Sequence, residues 1–122
     1  MTGVQTCALP IFGKLAPIAE QSESEYDRVM DVNVKGVWLA LKYELAQMVK
    51  QRGGAIVNNS SVTGIVGSNK GAATYVAAKH AVIGLTKAAA LENARLGIRK
   101  ALGASPAKVG RASCRERVLC VV

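Results

Sequence analysis

Two residues of this chain could exchange a proton with a bound ligand. Tyr75 and Lys79 stand four positions apart in the run YVAAK, within a stretch that lacks proline and is rich in Ala, Leu, Ile and Lys. On a helix this spacing places both side chains on one face, one turn apart. A phenol is mostly protonated at neutral pH, and an ammonium within about 4 to 6 Å favours its ionised form. The pair therefore predicts acid/base chemistry on an alcohol or carbonyl, although such pairs also occur by chance on many helices.

Two further polar residues are candidates for the same site. Ser61 ends the run AIVNNSS, a predicted strand whose carboxyl end is the edge where open α/β sheets bind ligands, and its hydroxyl could donate to a substrate oxygen. Asn33 interrupts an apolar helical pattern in DVNVKG, where an amide is an unfavourable choice. Each also has a structural explanation, a turn or capping serine and a satisfied buried amide. His80, the only histidine, follows Lys79 directly and is expected to point away from the Tyr75 face.

A long helix is predicted from Ser22 to about Lys50. Ser22 and Glu25 have the spacing of a capping box, and the pair Gly53 and Gly54 would end the helix. Apolar residues recur every three or four positions along it, which predicts one buried face on which Trp38 packs. The members of this stripe are Tyr26, Val29, Met30, Val34, Val37, Trp38, Leu41, Leu45 and Met48.

A short buried strand over residues 55–61 and a second long helix from about Ala73 to Leu96 complete the predicted elements. The order of long helix, strand and long helix is typical of a doubly wound, Rossmann-type α/β fold with a parallel sheet. Such a strand needs parallel neighbours on both sides, and no further strand is predicted. The chain is therefore expected to be a fragment of that sheet.

The charge of the chain is uneven. The net charge is +8 over 122 residues, a length that fits one small domain. Residues 12–99 contain eleven Lys and Arg against seven Asp and Glu, whereas residues 100–122 contain five against one. No apolar run is long enough to span a membrane, so no membrane partner and a cytoplasmic location are expected. The basic end leaves open a small nucleic-acid-binding protein as an alternative.

Both ends of the chain resemble something other than protein. Residues 1–11, MTGVQTCALPI, resemble the conceptual translation of a sequencing-library adapter, and residues 110–118, GRASCRERV, resemble that of the opposite adapter. We therefore expect three segments, an adapter-like start at 1–11, a central part of one domain at 12–99, and an unrelated tail at 100–122. On this interpretation Cys7 and Cys114 carry no redox meaning, and the basic tail does not indicate a nucleic-acid partner.

The central segments together are similar to the catalytic core of the short-chain dehydrogenase/reductase family. The motifs are NVKG, IVNNSSVTG and YVAAKHAVIGLTKAAALE, preceded by PIAEQSESEYDRVMDVNVKGVW, and they cover residues 12–99. The resemblance implies that Tyr75 is the acid/base and that Lys79 favours its ionised form and holds the nicotinamide ribose. It also implies that Ser61 polarises the reacting carbonyl and that Asn33 anchors a water leading from Lys79. Ser60 is the neighbouring candidate for the serine.

The resemblance also implies an oxidoreductase that transfers a hydride between NAD or NADP and an alcohol or ketone, with a parent protein that is a homodimer or homotetramer. The glycine-rich turn that binds the cofactor pyrophosphate and the Asn-Asn-Ala-Gly motif are missing from this sequence. The spacing from Ser61 to Tyr75 is one residue longer than the commonest family spacing. The chain by itself is therefore expected to be inactive, and a noncatalytic dimerising fragment remains a third alternative.

Overall fold

The computed structural model describes residues 10–93, 99–102 and 117–121, which form helices packed on a parallel sheet. This confirms the predicted α/β class. The helices are α1 (Glu23–Met30), α2 (Gly36–Gln51) and α3 (Ala73–Glu92), and the strands are β1 (Ala55–Asn59), β2 (Arg99–Leu102) and β3 (Arg117–Val121). Short 3-10 turns lie at Ile18–Glu20 and Val62–Gly64, and a π turn at Asp31–Lys35 joins α1 to α2.

The predicted first helix is one helical run that the π turn divides. Its start is confirmed, because the Ser22 hydroxyl accepts a hydrogen bond from the Glu25 amide at 3.3 Å. Its predicted end near Lys50 agrees with the structure to within one residue, and the predicted glycine pair directly follows the residue that caps the helix. Arg52 takes the left-handed conformation with φ of 53°, and the Gly53 amide donates to the Met48 carbonyl at 3.1 Å, so the helix ends at Gln51.

The sheet corrects one prediction. Strand β1 was expected to have no parallel neighbour, yet it pairs with β3 in parallel, with Ala55 opposite Arg117, and β3 in turn pairs with β2. The sequence of β3, RVLCV, has the apolar and β-branched composition of a strand, and pairing satisfies backbone groups that an open edge leaves exposed. Strand β1 ends at Asn59 rather than Ser61, because Ser61 caps the 3-10 turn that follows.

The core lies between α2, α3 and one face of β1. Its buried cluster consists of Leu41, Met48, Ile56, Ala89 and Ala90. Alternate residues of β1 are buried, as expected for a strand with one covered face. We predicted that α3 would reach Leu96, but the helix ends at Glu92 and Asn93 caps it. The rest of the predicted helix falls on residues 94–96, which lie outside the described residues.

Trp38 does not pack as the apolar stripe of the first helix predicts. Its side chain is 47% exposed, and the Lys42 ammonium lies 5.5 Å from its ring centroid. The stripe is wider than the surface that α3 and the sheet cover, so Val29, Leu41 and Met48 are buried while Trp38 stays at the rim. The indole there lines a shallow, mostly apolar hollow with Leu85 of α3.

A buried polar contact between β1 and α3 gives a test of this packing. The Asn58 amide nitrogen donates to Thr86 Oγ1 at 2.9 Å, and Thr86 Oγ1 donates to the Val82 carbonyl at 2.7 Å. Thr86→Val should lower the free energy of unfolding by about 1–3 kcal/mol, because the buried Asn58 amide loses its acceptor. Urea denaturation of the chain measures this loss. The double variant with Asn58→Leu should recover part of the lost free energy of unfolding. If the losses of the two single variants simply add in the double variant, the contact is contradicted.

Candidate active site at the tip of the first strand

Tyr75 and Lys79 share one buried face of α3, as their spacing predicts. Tyr75 is the third residue of the helix and is 5% exposed, and Lys79, one turn later, is 2% exposed. The Lys79 ammonium nitrogen lies 5.5 Å from the centroid of the Tyr75 ring. Because a cation this close to an aromatic ring interacts with it directly, the structure brings the phenol and the ammonium into one site.

Lys79 also joins α3 to the end of β1. Its ammonium donates to the carbonyl of Asn59, the last residue of the strand, at 3.1 Å, and its own carbonyl accepts from the Ser60 hydroxyl at 2.9 Å. Gly64 makes this approach possible, since a Cβ there would lie 2.9 Å from the Lys79 carbonyl oxygen and would also collide with the Ser60 hydroxyl. The ammonium is therefore fixed at the strand tip.

The two candidate serines have different surroundings. Ser60 is buried, and its hydroxyl donates a hydrogen bond to the Lys79 carbonyl. Ser61 is half-buried, and its oxygen accepts from the Thr63 amide at 3.3 Å and from the Thr63 hydroxyl at 3.1 Å. Ser61 thus caps the 3-10 turn, as its structural explanation predicts, and because it accepts both bonds its own proton can still be donated. Neither of these bonds brings Ser61 to Tyr75.

Asn33 lies in the π turn and is 3% exposed. Its amide nitrogen donates to the Ile11 carbonyl at 2.7 Å, and its amide oxygen accepts from the Ile11 amide at 2.9 Å. The Asn33 amide is therefore buried with its hydrogen bonds made, and it holds Ile11 near the start of the described residues. The π turn also packs against α3, and such turns frequently mark functional sites. A water between Asn33 and Lys79 stays a prediction.

Replacing Asn33 tests this contact. Asn33→Leu should lower the free energy of unfolding by about 1–3 kcal/mol, because both backbone groups of Ile11 lose their partner. The midpoint of urea denaturation of the chain measures the effect. The exposed Asn69, replaced in the same way, should change the midpoint very little. Equal stability of the two variants would contradict the contact between Asn33 and Ile11.

Two residues at the site were missed by the sequence interpretation. The Phe12 ring stacks on the Tyr75 ring, with centroids 4.0 Å apart and planes at 14°. The Gln21 amide donates to the carbonyls of Ala16 at 2.8 Å and Gly71 at 3.2 Å, and its oxygen accepts from the Thr74 hydroxyl at 2.6 Å. Phe12 and Ala16 precede the first predicted helix, and no sequence signal reports their contacts with α3.

The charged groups beside the site form a small surface network. Arg28 donates to the Glu25 carboxylate at 2.7 Å, and this bond, together with one from the Lys14 amide, lowers the pKa of Glu25. The same carboxylate raises the pKa of Arg28. His80 is exposed and its Nδ1 lies 2.9 Å from the Val76 carbonyl, so it points away from Tyr75 as predicted. The described ranges contain no group of three or more His, Cys, Asp or Glu that could hold a metal.

A parallel sheet with helices packed on it, and polar groups gathered at the carboxyl end of a strand, are features of the doubly wound α/β class. The family described as short chain dehydrogenase matches residues 5–109. The chain belongs to the short-chain dehydrogenase family.

Individual proteins of the family are similar over the same region. The 3-oxoacyl-[acyl-carrier-protein] reductase FabG of Staphylococcus aureus is 52% identical over 81 residues, which are 66% of this chain and 32% of the relative. The crystal structure of levodione reductase is 41% identical, with a TM-score of 0.72, over 77% of this chain and 36% of that one. NAD+-bound xylitol dehydrogenase is 36% identical, with a TM-score of 0.71 over the same shares. The chain spans about a third of the length of these proteins.

Within the part of the chain that the structure describes, no helix is both long enough and apolar enough to cross a bilayer.

Proposed function

We propose that the full-length protein to which this segment belongs transfers a hydride between NAD or NADP and an alcohol or ketone. The observation that carries the proposal is the buried pair of Tyr75 and Lys79, with the Lys79 ammonium fixed 3.1 Å from the Asn59 carbonyl at the strand tip. Solved structures of relatives support the cofactor class, since one is NAD+-bound and another has NADPH bound.

Each residue of the site has a proposed role. Tyr75 gives its phenolic proton to the substrate oxygen during ketone reduction and takes it back during alcohol oxidation. Lys79 stabilises, through its positive charge, the negative charge that develops on the phenolic oxygen while the proton is transferred. Ser61 donates its available hydroxyl proton to the same substrate oxygen. Asn33 holds the backbone of Ile11 and anchors the water that the family resemblance assigns to it.

The described residues fit one end of a dinucleotide. The Lys79 ammonium lies at the carboxyl end of β1, 5.5 Å from the centroid of the Tyr75 ring, where ribose hydroxyls could accept and donate hydrogen bonds. When bound, the nicotinamide supplies or accepts the hydride. In the described part of the chain, the strand β1 leads into the 3-10 turn Val62–Gly64 instead of a glycine-rich turn into a helix, so a phosphate cradle would come from elsewhere in the parent protein.

The proposal predicts different activities for the full-length protein and for this 122-residue chain. The full-length protein should oxidise NADH or NADPH in the presence of ketones, with absorbance of the reduced nicotinamide as the readout. The 122-residue chain by itself should show little or no turnover, because its described residues offer groups for one end of the dinucleotide only. Micromolar NADH binding together with ketone reduction by the purified chain would contradict that second part. A full-length protein inactive with both nucleotides and a panel of ketones and alcohols would contradict the first.

We further propose that the parent protein is a cytoplasmic homodimer or homotetramer. Apolar side chains exposed along α2 support an assembly, because a second subunit packed there would remove them from water. They are Trp38, Leu39, Tyr43 and Val49. Sedimentation of the full-length protein tests this proposal, and a strict monomer at micromolar concentration would contradict it.

A further inference from the structure

The first turn of α3 lacks the groups that usually stabilise the start of a helix. Tyr75 is the third residue of this helix, so its position depends on that turn. Ala72, the residue before the helix, has no side-chain oxygen to accept from the free amides, and the turn from Ala73 to Val76 contains no acidic residue. The helix start that carries the proposed proton donor therefore depends on contacts from outside the helix.

The loop that leads into α3 gives the helix start little support by packing. Residues 65–70 are all exposed, and full burial resumes only at Ala72. Gly71 has a φ of +71°, a conformation that favours glycine, and a Cβ there would lie 2.8 Å from the Ala16 nitrogen. The Ala16 amide donates to the Gly71 carbonyl at 3.0 Å. The loop thus meets the segment before α1 at Gly71, two residues before the helix begins.

Gln21 holds the chain on both sides of the start of α3. Its amide nitrogen donates to the carbonyls of Gly71 at 3.2 Å and Ala16 at 2.8 Å, and its amide oxygen accepts from the Thr74 hydroxyl at 2.6 Å. Gln21 is half-buried, which partly shields these bonds from water. Because Thr74 directly precedes Tyr75, the Gln21 side chain restrains the turn from which the phenol projects.

The first turn of α3 is more able to shift than the rest of the helix, because helix ends open more readily than the middle. The bond from the Val76 amide to the Ala72 carbonyl, at 2.9 Å, closes this turn. Further along, buried residues hold the helix, among them Ala78, Val82 and Thr86. A misplacement of a reacting group by about 1 Å can lower a rate by about 10²-fold. A small movement of the first turn alone would therefore slow proton transfer.

We propose that Gln21 is a positioning residue, which holds the first turn of α3 and thereby keeps the Tyr75 phenol in place for proton transfer. The proposal rests on the proposed role of Tyr75, whereas the hold on the helix start is a property of the fold and can be measured separately. Gln21 is proposed to touch neither the nucleotide nor the ketone. Its loss should therefore slow the chemical step and leave the affinities for both almost unchanged.

Gln21→Met keeps the length of the side chain and removes its three hydrogen bonds. In the full-length protein, hydrogen exchange measured by mass spectrometry should become about three- to thirtyfold faster in the first turn of α3, where the Val76 amide lies, and stay unchanged around Thr86 in the middle of the helix. The matched control Gln47→Met, at an exposed position in α2, should leave both rates unchanged. Unchanged exchange in the first turn, or the same increase throughout α3, would overturn the proposal.

Kinetics of the full-length protein test the effect on Tyr75. With Gln21→Met, kcat for ketone reduction should fall about three- to thirtyfold, while KM for nucleotide and for ketone stays within about twofold. A loss of stability alone would not produce this split. Thr74→Val removes one of the same hydrogen bonds from the helix side, so it should also lower kcat, and the double variant should lose less than the two single variants combined.

Two results separate this proposal from the proposed function. Faster exchange in the first turn with unchanged kcat, in a protein whose Tyr75→Phe variant is inactive, would overturn the role of Gln21. A Tyr75→Phe variant that stays active would instead refute the proposed function and, with it, the part of this proposal that concerns Tyr75. The exchange result would then still report whether Gln21 holds the helix start.

Discussion

Replacing Tyr75 by phenylalanine in the full-length protein is expected to lower kcat/KM for ketone reduction by about 10²- to 10⁴-fold, the usual contribution of a positioned acid/base group. The substitution removes one oxygen and keeps the ring, so the stack on Phe12 at 4.0 Å remains. Steady-state kinetics at neutral pH with saturating reduced nucleotide measures the effect. The loss should appear in kcat, because the proton is transferred in the transition state.

The matched control for this variant is Tyr43→Phe. Tyr43 lies in α2 and is exposed, so the same loss of a hydroxyl should leave kcat/KM within about twofold of the parent value. Thermal unfolding of both variants should match that of the parent protein. A Tyr75→Phe variant that keeps most of its activity would contradict the assigned role.

Lys79→Met is expected to lower kcat by roughly 10²-fold or more, because methionine has a similar length but no charge to stabilise the phenolic oxygen as its proton is transferred. The variant also removes the donor to the Asn59 carbonyl, 3.1 Å away, which fixes the side chain at the strand tip. Stopped-flow measurement of nucleotide oxidation distinguishes slower chemistry from weaker nucleotide binding. Both are expected, since the resemblance gives Lys79 a contact with the ribose.

Lys87→Met is the matched control for this second variant. Lys87 lies two turns further along α3 and is exposed, so the same loss of charge should change kcat very little. Similar losses in the two variants would indicate a general effect of removing a charge from the helix. That result would contradict a direct action of Lys79 on Tyr75.

The local parts of the site could be predicted from the sequence. The spacing of Tyr75 and Lys79 is a property of one helix, and both residues lie buried on one face of α3. The Ser22 cap follows from residues three positions apart. Asn33 was recognised as unusual in an apolar pattern, and the structure shows it buried and fully paired. These features depend on interactions within a turn or two of helix.

The remaining parts depend on contacts between distant residues. Nothing in the local sequence pairs Asn33 with Ile11, 22 positions earlier, or Thr74 with Gln21, 53 positions earlier. The stack of Phe12 on Tyr75 has the same origin. The parallel pairing of β1 with β3 was also missed, because a short apolar run such as RVLCV does not by itself show that it forms a strand or which strand it would pair with. Trp38 was assigned to the core because periodicity predicts a face but not how much of it is covered.

Deuterium transfer tests the proposed reaction most directly. The full-length protein, supplied with reduced nicotinamide carrying deuterium at C4 and with acetophenone, should yield 1-phenylethanol with the deuterium on the carbinol carbon, because hydride passes directly to the carbonyl carbon while Tyr75 supplies the proton to its oxygen. NMR of the product locates the label. Product without deuterium after transfer from either face of the nicotinamide, or nucleotide oxidation without alcohol formation, would contradict the account.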